Sequence, residues 1–105
     1  MIKVYNKLIR DKVPEVTIRN GGKPVTRILS DEEYLKALVA KLGEECAEFT
    51  EALSIEELAD IQEVVLALAD TIASREALEQ ARVAKAEARG TFTQKIFLES
   101  VDHTE

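Results

Sequence analysis

The chain has no tryptophan, one cysteine, one histidine and two prolines in 105 residues. Each scarcity excludes something. A lone cysteine, Cys46, cannot close an internal disulfide, so packing must hold the fold, and such usage suits a reducing compartment. His103 lies in a polar tail, Ser100 to Glu105, and is assigned no role. With only two tyrosines and three phenylalanines, the core must be aliphatic and rich in alanine. Long apolar runs are also absent. Met1 to Lys7 does not read as a signal peptide, and no stretch reads as a membrane span. The expectation is a soluble cytoplasmic protein without a membrane partner. Basic side chains are outnumbered 14 to 20, giving a net charge of −6. That argues against a nucleic-acid polymer as partner, because such binding needs a basic surface. It does not argue against a small anionic ligand, since a bound cation reverses the local field.

What is present is aliphatic and helix-forming. Hydrophobic residues make up 46% of the chain and charges of both signs are mixed, so composition does not indicate disorder. No repeat, linker or low-complexity block divides the sequence, and one domain is expected over residues 1–105. Ile2 to Tyr5 alternates weakly, as a short strand would. Pro14 suits the first turn of a short helix that Asn20-Gly21-Gly22 ends. Lys23 to Leu29 is β-prone and reads as an extended segment or edge strand. Ser30 and Glu33 form a capping-box pattern opening a long helix to about Leu53. Its apolar positions, Leu35, Leu38, Val39, Leu42, Cys46, Phe49 and Leu53, recur every three or four residues. Gly43, inside this helix, would allow close approach of another helix or of a ligand.

Ser54 can cap a second helix running through Ile61, Val64, Val65, Leu68 and Ile72, with a break near Ala73-Ser74. A third helix, Arg75 to Arg89, shows a small-residue face of Ala77, Leu78, Ala81, Ala84 and Ala88 and ends at Gly90. Thr91 to Leu98 then reads as a short strand or an extended cover over the bundle.

Two acidic clusters stand out, Glu44-Glu45-Cys46-Ala47-Glu48 and Glu57-Leu58-Ala59-Asp60. Residues three apart on a helix point nearly the same way, so Glu45 pairs with Glu48 and Glu57 with Asp60. Glu45 falls between Leu42 and Phe49 on the apolar stripe, where a carboxylate without a partner is costly. Glu44 is rotated away, toward solvent or an outer shell. If the helices fold back on each other the acids converge, and a hard divalent cation relieves their repulsion. Glu57 carries two competing roles: a capping-box side chain would turn back to the Ser54 N–H, whereas a metal ligand would point inward. The basic residues Lys7, Arg10 and Lys12 read as a solvated patch or as a landing place for phosphate. Lys85 and Arg89 read as cations placed by the helix dipole or as part of such a site.

Three ordered blocks carry a family resemblance. Glu44-Glu45-x-x-Glu48 followed by Glu57-x-x-Asp60 resembles the EExxE…ExxD signature of the MazG-like, all-α nucleoside triphosphate pyrophosphatases. Tyr5 to Glu15 is similar to the YNKLVRDKIPE opening of the phosphoribosyl-ATP pyrophosphatase-like branch. Arg89-Gly90-Thr91-Phe92 with Lys95 to Leu98 resembles its closing RGGF segment, with Thr91 in place of the second glycine. The resemblance implies an all-α, antiparallel helical bundle with short N- and C-terminal extended segments, completed by assembly into a homodimer or homotetramer. It implies an enzyme of house-cleaning type that hydrolyses a nucleoside triphosphate, non-canonical or deoxy, between the α- and β-phosphates. By motif position Glu45, Glu48, Glu57 and Asp60 would hold Mg²⁺, or Mn²⁺ in its place. Glu44 or Glu45 would handle the attacking water. Lys7, Arg10, Lys12, Lys85, Arg89 and Lys95 would meet the phosphates. The alternatives are phosphoribosyl-ATP pyrophosphatase of histidine biosynthesis and a catalytically silent helical interaction module. The five aromatic residues leave few rings to stack on a base, and the base is not legible.

Overall fold

A computed structural model describes residues 1–103; the last two residues of the polar tail lie outside it. The chain is all-α. Its four helices are α1 (Val13–Arg19), α2 (Asp31–Ala52), α3 (Ile55–Ile72) and α4 (Arg75–Arg89), and no strand occurs among the described residues. Ile2 to Tyr5, Lys23 to Leu29 and Thr91 to Leu98 are therefore not strands; the last contains only a bend and a turn. A strand needs a neighbour to complete its hydrogen-bond ladder, and none of these segments has one.

Helix boundaries follow local chemistry. Ser30 caps α2 through its side chain, which accepts from the Glu33 N–H at 3.2 Å, while the Glu33 carboxylate accepts from the Ser30 N–H at 3.1 Å. That closes both halves of the capping box. Arg27 adds two hydrogen bonds to Glu33 and, with the capping contacts, holds that carboxyl at a pKa of about 2. Ser74 caps α4 by accepting from the Ala77 N–H. Gly90 ends that helix with φ +84°.

The α2–α3 hairpin turns on Leu53, the C-cap of α2, which takes the left-handed conformation at φ +51°. This is an unfavourable backbone for a residue with a Cβ. It brings α3 back antiparallel to α2 after a link of two residues, Leu53 and Ser54. The seam buries Leu38 of α2 and Val64 of α3, and half-buries Leu42, Phe49, Ile61, Val65 and Leu68. Val39, Cys46 and Leu53, placed on the stripe by spacing, are exposed instead. The seam follows the narrower row of positions 38, 42, 45 and 49. α4 rests on α3, and α1 packs against no other helix. The alanine face of α4 is largely open: Ala77 is half-buried, whereas Ala81, Ala84 and Ala88 are exposed.

The result is elongated, 65 × 30 × 25 Å with a radius of gyration of 18.9 Å, where a compact chain of this length has about 13 Å. Its accessible surface is 9688 Å² for 11.7 kDa, against roughly 5,900 Å² for a compact monomer of that mass.

Gly43 is not a point of close approach within the chain. A Cβ built there meets nothing within 4 Å. Gly43→Ala should therefore raise stability by about 1 kcal/mol through helix propensity alone. The check is a urea titration: the midpoint should rise at constant slope, and a fall would mean that another surface covers Gly43.

Candidate metal centre

Four local features build the site. Glu45 sits on the seam face of α2, between Leu42 and Phe49, and is 6% exposed. Ser54 caps α3 by accepting from the Glu57 backbone N–H at 3.2 Å. Unlike Glu33, Glu57 does not return its side chain to the capping serine; its Oε2 is buried and has no hydrogen-bond partner. The two Ser-x-x-Glu sequences thus behave differently, because the second glutamate lies at the mouth of the seam. Asp60 follows one turn later on the same face of α3, half-buried.

Carboxylate oxygens of Glu45, Glu57 and Asp60 lie within 4.8 Å of one another. Glu45 Oε2 is also buried without a partner. Two orphaned acceptors facing a third carboxylate form an oxygen-only donor set, the kind that suits a hard divalent cation such as Mg²⁺. The residues present fit that group. Glu48 is exposed and stands outside the triad, although its carboxylate is near enough to Glu45 to raise its pKa. The larger cause of that rise is burial, and the Lys41 ammonium opposes it at 3.4 Å.

Three cations ring the acids. Lys7 Nζ donates to Glu44 Oε1 at 3.0 Å, and Lys41 Nζ lies 3.5 Å from the same oxygen. Together they hold Glu44 below the ordinary carboxylate range, the Lys7 hydrogen bond contributing most. Arg10 Nη2 donates to Asp60 Oδ1 at 2.6 Å, and its Nη1 lies 3.9 Å from Glu63 Oε1. Glu44, Glu45, Glu48, Glu57, Asp60 and Glu63 thus outnumber Lys7, Arg10 and Lys41 by six to three. The patch stays acidic, as a cation site requires.

Of the other basic residues singled out by sequence, Lys12 is the N-cap of α1. Lys85, Arg89 and Lys95 make no ion pair with these acids. Arg89 and Lys95 instead border shallow clefts at the C-terminal end of α4, beside Thr91, Gln94 and Ile96. Two residues escaped the sequence reading. Lys41 precedes Glu45 by one helical turn, a spacing that signals an i,i+4 pair. Glu63 carries no such local sign.

No family model matches the chain, and no solved structure matches it. Over 46 residues it is 52% identical to an uncharacterized protein of Mycolicibacterium smegmatis, covering 44% of this chain and 47% of that protein. The match thus spans about half the length of that relative.

Burial and Glu48 favour the protonated form of Glu45 in the folded state. Ionisation of Glu45 therefore opposes folding, and its effect grows as pH rises above the unfolded-state value of 4.5. Without divalent cation, Glu45→Gln should be more stable than wild type near pH 7. The gap should close toward pH 4. Thermal melts in chelator across that range measure it, and a less stable glutamine variant at pH 7 would contradict the electrostatic account.

Proposed function

We propose that the chain is a Mg²⁺-dependent nucleoside triphosphate pyrophosphatase of the MazG-like type. The observation that carries this reading is Glu45, buried at the seam with an unpartnered oxygen beside Glu57 and Asp60. A solvated acidic face, as a silent interaction module would have, gives no reason to sink that carboxylate. The resemblance of the acidic motif and of both chain ends supplies the reaction: water adds across the α–β anhydride, giving the monophosphate, pyrophosphate and a proton. Non-canonical or deoxy triphosphates are the proposed substrates, in a house-cleaning role.

Glu45, Glu57 and Asp60 would hold Mg²⁺, with Mn²⁺ able to replace it and Glu48 close enough to join after a side-chain rotation. When bound, the ion supplies charge neutralisation and lowers the pKa of a ligated water. The protein groups do the rest. Glu44, kept ionised by Lys7 and Lys41, is a weak proton acceptor and serves better to orient water and to hold those two ammonium groups. Lys7, Arg10 and Lys41 stand where an incoming polyphosphate would need positive charge. Lys12, Lys85, Arg89 and Lys95 would reach it only through movement or from a second copy.

A homo-oligomer is part of the proposal. The surface excess of nearly 4,000 Å² over a compact monomer is more than the roughly 1,000–2,500 Å² per chain that an obligate dimer interface removes, so there is ample surface for one. Ile55, Ile72, Phe92, Ile96 and Phe97 are among the large apolar side chains left open. Light scattering on a sizing column should give two or four times 11.7 kDa.

The test of activity is pyrophosphate release, with Mg²⁺, from a panel of canonical, deoxy and damaged triphosphates that includes phosphoribosyl-ATP. Glu45→Gln and Asp60→Asn should each reduce turnover at least about a hundredfold with helical content retained. Release from no compound would refute the enzyme reading, and active variants would refute the ligand roles.

A further inference from the structure

The N-terminal segment reaches the acid cluster, and the hydrogen bonds and ion pairs it makes there are all between charged side chains. Residues 1–12 contain no helix, and of them only Leu8 is even half-buried. The helix that follows, α1, buries no residue and packs on no other helix. The segment's contacts with the hairpin that have defined geometry are charge pairs: Lys7 with Glu44, and Arg10 with Asp60 and Glu63. These side chains are a third or more exposed, except Glu44 at 31%. Pairs this exposed are individually weak and exchangeable.

Arg10 is bound to a member of the oxygen triad, not to a bystander. Its guanidinium donates to Asp60 Oδ1 at 2.6 Å, and Asp60 shares the triad with Glu45 and Glu57. The triad stands on more than acidity, because Glu45 is over nine-tenths buried and its Oε2 is unpartnered. A guanidinium seated on one of three would-be ligands repels a dication entering the same cluster and competes for the same carboxylate.

We propose that residues 7–12 form a counter-ion arm, in which Arg10 neutralises Asp60 until a divalent cation binds the triad and displaces it. This deepens the metal reading given above and rests on it. Cation entry removes the reason for Arg10 to stay on Asp60, while Lys7 keeps its partner Glu44 outside the triad, so the arm loosens around Arg10 and remains beside the site. The released guanidinium is then free for an anionic ligand, so cation loading precedes tight anion binding. Arg10 is a regulator of cation occupancy and not a ligand support. The alternative, in which Arg10 clamps Asp60 in a ligating pose, makes the opposite prediction, since loss of an outer-shell partner lowers metal affinity by about 10- to 100-fold.

Calorimetric titration of Mn²⁺ alone into the full chain decides the matter, using wild type, Arg10→Gln, Lys7→Gln and Asp60→Asn. Amide hydrogen exchange of residues 2–12 is followed with and without Mn²⁺. Circular dichroism confirms that each variant keeps its helices. The expected result is that Arg10→Gln binds Mn²⁺ several-fold more tightly than wild type, or binds where wild type does not. Lys7→Gln, which removes the same charge without touching the triad, should change affinity less. Asp60→Asn should lose binding, and exchange in the arm should quicken when Mn²⁺ binds wild type. Equal or weaker binding by Arg10→Gln would overturn the proposal while leaving the metal centre intact. So would an equal gain from Lys7→Gln, or an arm whose exchange does not change. Absence of Mn²⁺ binding in wild type and in Arg10→Gln alike would overturn the metal reading and the arm together.

Discussion

Burial of one carboxylate sets the terms for this structure. Glu45 occupies a position in the α2–α3 seam that periodicity would give to an aliphatic residue, and one of its oxygens has no partner. Such a group is tolerated only if the surroundings supply charge. Lys41 supplies part of it from one turn back along α2, at 3.4 Å. Glu57 and Asp60 add acid where more base would be expected. The seam therefore stores an electrostatic imbalance at one end while its apolar residues, Leu38 and Val64, close elsewhere along it.

The way the hairpin is made explains why the imbalance falls there. Leu53 in the left-handed conformation allows a two-residue link, so the first turns of α3 lie against the last turns of α2. The Ser54 cap is satisfied by the Glu57 backbone alone, which leaves the Glu57 side chain to point inward. Cations from the N-terminal segment then close over the acids from outside. The hairpin provides the acids and the N-terminal segment lays positive charge over them. Apolar side chains of α3, α4 and the C-terminal segment, Ile72, Leu78 and Phe97 among them, stay open, and the proposed second copy would sit there.

Much of the fold was legible because its signals are local. Ser30, Ser54, Ser74 and Gly90 mark helix ends through single hydrogen bonds or one backbone angle, and the helices begin and stop there. The inward aspect of Glu45 followed from its place between Leu42 and Phe49. The side-chain direction of Glu57 was not legible, because capping and inward positions differ by one rotation that only the neighbouring helix decides. Glu48 shares a helical face with Glu45 yet stays exposed, since the depth of the seam depends on how closely the helices cross. Nor could periodicity pair Lys7 with Glu44 or Arg10 with Asp60, contacts that span 37 and 50 residues. The β-like segments, read as extended segments or short strands, form no strand among the described residues for the same reason: propensity is local, but a strand exists only with a partner.

On this proposal the Glu45, Glu57 and Asp60 oxygens together hold a divalent cation. The most direct measurement is anomalous diffraction from crystals of the protein grown with Mn²⁺. An anomalous peak is expected about 2.1 Å from oxygens of all three residues. A structure at high Mn²⁺ with no peak between them, or with the ion bound only elsewhere on the acidic surface, would contradict the proposal.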